Sequence, residues 1–568
     1  MRLIKQLKNI LGDLRLSDVY PITHLNNRAV FEASNGMIGS TIRLDGVPFD
    51  TETNELMNQF RREWKNTIRG LSDSISLHVT IHREAVNPIL GGTFPNEFTR
   101  RLNTRYEEKF AHTHLYKNTL YLTLIYKGVT SGKSGWLINK VKRLSEKTVK
   151  QARAMIRAHQ MESLEKVRAQ MLSSLAKFKP VLLGSRDEEV GYSELLEFLG
   201  LAINGGKSAP FRFPKATLPI SESIATMKKA FSKYPTGNIG QYLFRYRLFF
   251  GKAIQFQGAD SRFAAMLSIK DYPHDTSSLI FDCLLNLEAE FIATHTFSVE
   301  ARDVSLKLVE KQTKQLESVD DAGKSQIEQL AELLDAIASR QDVLGYHHHS
   351  LMIFADTIQE LDKAVNNAIG QYKDEGITAI REDVGQEAAF FAQIPTNLKY
   401  IARSVLISGD NFTDFCPFHN YRLGYRDGNH LGSAVTLLET AAKTPYFFNY
   451  HLPSANKSLT AGHAMVLGIT GSGKTALMTW LDAQASRYNG FTFIFDVKRG
   501  FDFYIRACGG YYAVLSPDDK SVRFNPFQLP DVSTNREFCK KWLIQLVKEK
   551  EEDHIDVETQ ELLGDCVN

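Results

Sequence analysis

From Val30 to Val47 apolar and polar residues alternate around Asn35-Gly36 and Asp45-Gly46, which predicts a hairpin. The spacing switches to helical over Thr51–Arg69, back to alternation over Ser74–His82, to helical over Glu97–His112 and to a strand at Thr119–Tyr126. Helices interleaved with strands in this order predict a small α+β sandwich of ferredoxin-like kind. Residues 203 to 219, with Gly205, Gly206, Pro210, Pro214 and Pro219, read as a loop between subdomains. Beyond it a second α+β stretch predicts a strand at Glu288–Phe297 and a helical hairpin over Val299–Arg340, broken near Asp320-Asp-Ala-Gly323. A strand at Ser350–Ala355, a helix at Thr357–Tyr372, a strand at Thr378–Glu382 and a helix near Glu387–Phe391 follow. The rhythm repeats that of the first stretch, although no sequence repeat is visible.

The last periodic change is the sharpest. The apolar run Ala464-Met-Val-Leu467 reads as a buried strand, Ala476–Asp482 reads as a helix, and Gly468-Ile-Thr-Gly-Ser-Gly473-Lys474-Thr475 lies between them. This is the full Walker A pattern in the strand–loop–helix setting that its mechanism needs. Gly468, Gly471 and Gly473 allow the tight turn, and the backbone N–H groups from Thr470 and Ser472 through Thr475 can face a phosphate that the helix dipole also favours. Lys474 would reach the β- and γ-phosphates of ATP, and Thr475 would place its hydroxyl on Mg2+.

Other features carry a bland reading beside a sharper one. Leu3, Leu7, Ile10, Leu11 and Leu14 stand at helical spacing among Arg2, Lys5 and Lys8, which fits either a docking helix or a basic amphipathic helix on an anionic membrane surface. Gly128-Val-Thr-Ser-Gly132-Lys133-Ser134 imitates a P-loop but is one residue short, so its phosphate cradle would be too small. The helical stretch Leu137–Lys177 is the most basic of the chain and reads as a solvated or partner-facing surface, or as one facing nucleic acid or lipid headgroups. His347, His348 and His349 lead into a strand, where neighbours point to opposite faces, so the three cannot converge on one metal ion.

Length implies several domains: 568 residues predict three or four of ~150 residues. The net charge of +3 gives no bulk argument for nucleic-acid binding, which leaves only a local patch to supply it. Five scattered cysteines without a C-x-x-C pair argue against a disulfide framework and a zinc site, and fit a reducing compartment. No window reaches the ~20 apolar residues that a membrane-crossing helix needs.

Several separated pieces then resemble one family. They are Gly345-Tyr-His-His-His-Ser-Leu351, Glu387-Ala-Ala-Phe-Phe-Ala-Gln-Ile-Pro395-Thr-Asn397, Arg403 with Asn411-Phe412 and Pro417-Phe-His-Asn420, and Thr444-Pro-Tyr-Phe-Phe-Asn-Tyr-His451. Gly462-His463 before the P-loop, and Phe495-Asp496-Val-Lys498-Arg499-Gly500 and Asn525-Pro526-Phe527 after it, complete the set. Together they resemble the CagE/TrbE/VirB family, the large ATPase of type IV secretion and conjugation machines. The resemblance implies a cytosolic, hexameric ATPase at the bacterial inner membrane. Its partners would be the inner-membrane and cytoplasmic components of the apparatus and a transported protein or nucleoprotein, with direct DNA binding open. It also implies an N-terminal scaffold followed by a RecA-like motor.

The resulting expectation is an N-terminal α+β subdomain at 1–205, a second α+β subdomain at 206–429 and a partial RecA-like P-loop domain at 430–568. Phe491–Asp496 and Tyr511–Leu515 are the expected motor strands, which puts Asp496 at the site rim and makes Arg499 a candidate for contact with a neighbouring subunit's nucleotide. No apolar run ending in Asp-Glu follows Leu515, so the Walker B motif that the family motor needs is not found. Two alternatives stand beside the secretion motor: a hexameric DNA translocase of FtsK/HerA type, and a scaffold whose P-loop is a nucleotide-stabilised joint.

Overall fold

The computed structural model describes residues 16–111, 113–128, 146–184, 191–211, 239–258, 260–317, 324–452, 460–516, 525–548 and 554–567. The expected helix at the N-terminus, the one-residue-short P-loop imitation after Gly128 and the start of the basic helical stretch fall outside these residues. The chain divides into two compact units, residues 1–92 with 103–465 and residues 93–102 with 466–568.

The first unit is built on one sheet of thirteen antiparallel-paired strands. Its first half holds β1 (Ile22–Asn27), β2 (Val30–Ala33), β3 (Ile38–Leu44), β4 (Ile75–Val86), β5 (Leu115–Tyr126) and β6 (Val181–Leu182). Its second half holds β7 (Arg247–Phe250), β8 (Ile254–Gln257), β9 (Arg262–Asp271), β10 (Glu290–Val299), β11 (Leu344–Ala355), β12 (Thr378–Arg381) and β13 (Val405–Ser408). Four strands of each half stand in the same order. β3 and β5 pair at the centre, with β6 beside β3 and β4 beside β5; β9 and β11 pair at the centre, with β12 beside β9 and β10 beside β11. First and third strands central, fourth beside first and second beside third, is the order of a ferredoxin-like unit.

The halves meet through their second strands. β4 and β10 form a ladder from Arg83 opposite Phe291 to Ser76 opposite Ser298. Residues 205 and 206 therefore stand between two halves of a continuous sheet, and the expected boundary there does not separate compact units. The reason is burial on both faces. Phe291, Phe297, Leu351 and Ile353 point into one core, while Ile292, Met352 and Phe354 from the same strands point into a second. An edge strand this apolar would expose a row of unpaired backbone groups; pairing β4 with β10 removes two such edges at once.

Helices cover both faces. α1 (Asn54–Arg69), α3 (Glu146–Ser174), α7 (Ile358–Asp374) and α9 (Gly409–Phe415) supply Trp64, Met171, Leu361 and Phe412 to the first core. α4 (Glu194–Gly200) and α8 (Gln386–Ala392) supply Leu195, Phe198, Phe390 and Phe391 to the second. Between β4 and β5 the chain forms α2 (Glu97–Ala111), and between β10 and β11 the expected helical hairpin is α5 (Arg302–Glu317) and α6 (Lys324–Ala338). Helix starts follow local chemistry: the Thr53 hydroxyl accepts from the Leu56 N–H, and the Thr357 hydroxyl from the Glu360 N–H.

The histidine run sits inside this unit. His347 and His349 face the first core beside His295, with His295 Nδ1 3.2 Å from His347 Nε2, His347 Nδ1 2.8 Å from the Tyr272 hydroxyl and His349 Nε2 2.7 Å from that of Tyr372. His348 lies on the other face, 2.6 Å from the Arg403 carbonyl oxygen. Burial holds His295, His347 and His349 well below the usual histidine range, so they are neutral core residues. Among the described residues no group of three or more histidines, cysteines and carboxylates is arranged to hold a metal ion.

In the second unit lie α10 (Lys474–Ala485), α11 (Asp502–Ala507), α12 (Ser533–Val547) and α13 (Val557–Asp565). Ala483, Phe501 and Tyr504 form its core cluster, with Phe98, Leu102 and Ile494 packed against it. The expected strands at Ala464–Leu467, Phe491–Asp496 and Tyr511–Leu515 are not formed: none has a ladder partner among the described residues. Leu467 is 82% exposed, Phe491 95% and Phe495 86%. Apolar side chains alone do not make a strand; it needs a hydrogen-bonded neighbour and a face to bury.

Candidate nucleotide site

The loop from Gly468 to Gly473 turns where glycine is required. Gly471 has φ +86° and Gly473 φ +89°, in the left-handed region that costs other residues energy. A side chain at Gly468 would come within 2.6 Å of Ser472 Oγ and would force that hydroxyl to move. Gly473 caps α10 with no side chain of its own, and the Ser472 N–H turns back onto the Ile469 carbonyl, 3.2 Å away. Thr470 occupies the exposed tip of this turn.

Lys474 and Thr475 open the helix. The Lys474 ammonium donates to the carbonyl oxygens of Gly468 and Ile469, each at 2.8 Å, and so lies folded across the mouth of its own loop. Unpaired N–H groups at the first turn and the positive end of the helix dipole face the same region as this cation. The cradle therefore collects positive potential and N–H donors at one point. These residues fit a polyphosphate with its magnesium ion.

The segment after Ile494 returns to this helix. Asp496 accepts from the Phe501 N–H at 2.8 Å, from the Lys498 N–H at 3.2 Å and from the Tyr512 hydroxyl at 3.2 Å. Those donors, the Phe501 N–H first, hold its carboxyl below the usual carboxylate range. Asp496 thus braces its own loop rather than ending a paired strand. Arg499 is exposed and sits at φ +55°, an uncommon conformation for a residue with a side chain. Farther along, Asp482 of α10 accepts from Thr492 at 2.8 Å and from Tyr504 at 2.7 Å, tying the helix to both flanking segments.

Of the residues expected at the site, Gly468, Thr470, Gly471, Ser472, Gly473, Lys474 and Thr475 form one loop and helix start. The loop holding Asp496 and Arg499 reaches that start through Gly500, against the Thr475 side chain. The motif from Asp496 to Gly500 does not by itself announce this approach, which is a tertiary contact. The motif residues from 387 to 420, by contrast, belong to the first unit's packing. Gln393 donates to the Ile292 carbonyl at 3.1 Å, Phe412 stacks on Phe297 at 4.5 Å, His419 Nδ1 lies 2.6 Å from Asp282, and Asn420 donates to the Asp45 carbonyl at 2.9 Å.

A glycine-hinged loop that sets a lysine and a threonine at a helix N-terminus is the geometry of a P-loop. Residues 29–134 match the model for the type IV secretion system ATPase VirB4/TrbE, N-terminal domain, and residues 181–403 match the CagE, TrbE, VirB family, component of type IV transporter system. Both matches agree with the family that the motifs of the chain resemble. The chain is 29% identical over 549 residues to the type IV secretion system protein virB4 of Bartonella quintana (strain Toulouse), covering 95% of this chain and 65% of that protein. It is 28% identical over 529 residues to PtlC of Bordetella pertussis (89% and 60%), and 26% identical over 540 residues to virB4 of Brucella abortus biovar 1 (91% and 61%). The chain thus spans just under two thirds of the length of these relatives. Among the described residues no helix is long and apolar enough to cross a membrane.

Proposed function

We propose that the chain is the scaffold and nucleotide-binding part of an ATPase that energises a type IV secretion or conjugation machine. It would bind and hydrolyse ATP in a homo-oligomeric ring, with a hexamer the expected form, and drive pilus assembly and export of a protein or nucleoprotein across the bacterial envelope. Its place would be cytoplasmic and peripheral to the inner membrane, against other components of the apparatus. The observation that carries this reading is the glycine-dependent loop with Lys474 folded across it at the start of α10.

In this reading the Lys474 ammonium, now on the Gly468 and Ile469 carbonyls, would hold the phosphates together with the N–H groups of the loop and the helix start. The Thr475 hydroxyl would hold the magnesium ion. Bound magnesium would supply charge neutralisation for phosphoryl transfer. The unpaired apolar segments at 464–467, 491–496 and 511–515 are read as strands of a RecA-like sheet. Their exposed phenylalanines and leucines are what such a sheet would bury.

Binding of a fluorescent ATP analogue to the whole chain tests the site. Lys474→Ala is expected to weaken binding by at least about a hundredfold, the loss of a charge-assisted contact in a preformed cradle. Equal binding by wild type and variant would remove the P-loop from the mechanism. Steady-state ATPase with and without DNA, at two salt concentrations, separates a secretion motor from a DNA-stimulated translocase.

A further inference from the structure

Gly500 is a glycine for lack of space, not for freedom of the backbone. Its φ lies outside the left-handed region, so alanine would fit its conformation. A Cβ built there, however, would stand 2.8 Å from Thr475 Cγ2, against 3.7 Å from Thr475 Oγ1. The backbone at 500 therefore lies against the methyl group of Thr475 and leaves its hydroxyl to one side. A threonine on a helix divides between two χ1 rotamers, and only one of them suits a given neighbour.

The loop that brings Gly500 there is held on several sides. Asp496 grips the N–H groups of Lys498 and Phe501 and the Tyr512 hydroxyl, and Phe501 is buried against Ala483 and Tyr504. Arg499, the residue before Gly500, is kept in the left-handed region. Such a conformation persists where the surroundings over-determine it, and here the result is a backbone segment fixed against one methyl group.

We propose that Gly500 is a positioning residue: its contact with the Thr475 methyl selects the rotamer that presents the Thr475 hydroxyl to the metal of a bound nucleotide. This rests on the reading of Gly468–Thr475 as a nucleotide site and deepens it by separating metal affinity from phosphate affinity. A Cβ at 500 drives Thr475 into its other rotamer or pushes the loop away. Removing the methyl removes the collision while keeping a hydroxyl.

The test measures the dissociation constant of mant-ATP for the full chain, in excess Mg2+ and in EDTA. Gly500→Ala is expected to weaken binding about tenfold in Mg2+, the lower end for loss of an orienting partner of a metal ligand, and to leave binding in EDTA within about twofold. The double variant Gly500→Ala with Thr475→Ser is expected to bind in Mg2+ as tightly as Thr475→Ser alone, because serine lacks the methyl. Equal weakening in both conditions, unchanged binding by Gly500→Ala, or a double variant no better than Gly500→Ala would each overturn the positioning role. Lys474→Ala keeps the two ideas apart: if it binds mant-ATP like wild type, the nucleotide reading fails and this one with it.

Discussion

The two units use the same kind of residue in opposite ways. Phe297 in β10 is fully buried and stacks on Phe412, whereas Phe495 in the second unit is 86% exposed. Both stand in apolar runs that the sequence marks as strands. What differs is the neighbour: β10 lies between β4 and β11 and is covered on both faces, while residues 491–496 have no ladder partner among the described residues. Apolar character is thus a demand for burial, and only pairing satisfies it.

Denaturant unfolding can break this comparison. Phe297→Ala is expected to cost the first unit about 3–5 kcal/mol, the range for emptying a packed aromatic site. A cost below 1 kcal/mol would mean that the joined sheet is not the core it looks to be. Arg61→Ala ranks next. Arg61 of α1 donates to both carboxylate oxygens of Asp414 in α9, at 2.6 and 3.0 Å, and its loss takes the cation from a buried carboxylate to which the Thr276 hydroxyl, 2.9 Å away, still donates. A loss of about 2–3 kcal/mol follows, below the range for a wholly buried pair because Arg61 itself is partly exposed.

The buried histidines sharpen the contrast through pH. His295, His347 and His349 have folded pKa values well below the ~6.5 of an unfolded histidine. Their neutral form is favoured by folding, so the stability it carries is complete above pH ~6.5. Below that the unfolded chain takes up protons that the folded chain refuses, and each histidine adds a decline of up to about 1.4 kcal/mol per pH unit. The unfolding free energy of the first unit should therefore fall measurably from pH 7 to pH 5.5; a flat profile would show that these rings are protonated in place. The smallest effect belongs to the exposed side of the comparison. Phe495→Ala should change stability by no more than about 0.5 kcal/mol, as for other exposed positions. A loss above 2 kcal/mol would show that the segment is buried in the protein as it exists in solution.

Reading the chain by period recovered the helices from 54 to 69, 302 to 317, 324 to 338 and 358 to 374 within a few residues, because a helix closes its hydrogen bonds locally. The P-loop was legible for the same reason: its glycines, lysine and threonine act within eight consecutive residues. The apolar segments beside it have no ladder partner among the described residues, and a strand's partner is not written next to it in the sequence. Alternation along β11 put His348 on the opposite face from His347 and His349, but the pairing of His347 with His295 needed the β10–β11 register.

The amino-acid sequence by itself determined what depends on neighbours along the chain: helix starts, tight turns at Gly471 and Gly473, and a lysine and threonine at the head of α10. Only the tertiary structure decided that two ferredoxin-like strand orders share one sheet through β4 and β10, that Arg61 meets Asp414, and that Gly500 lies on the Thr475 methyl. Those contacts join residues tens to hundreds of positions apart. Their energy comes from registry, burial and free space, quantities that exist only once distant segments have met.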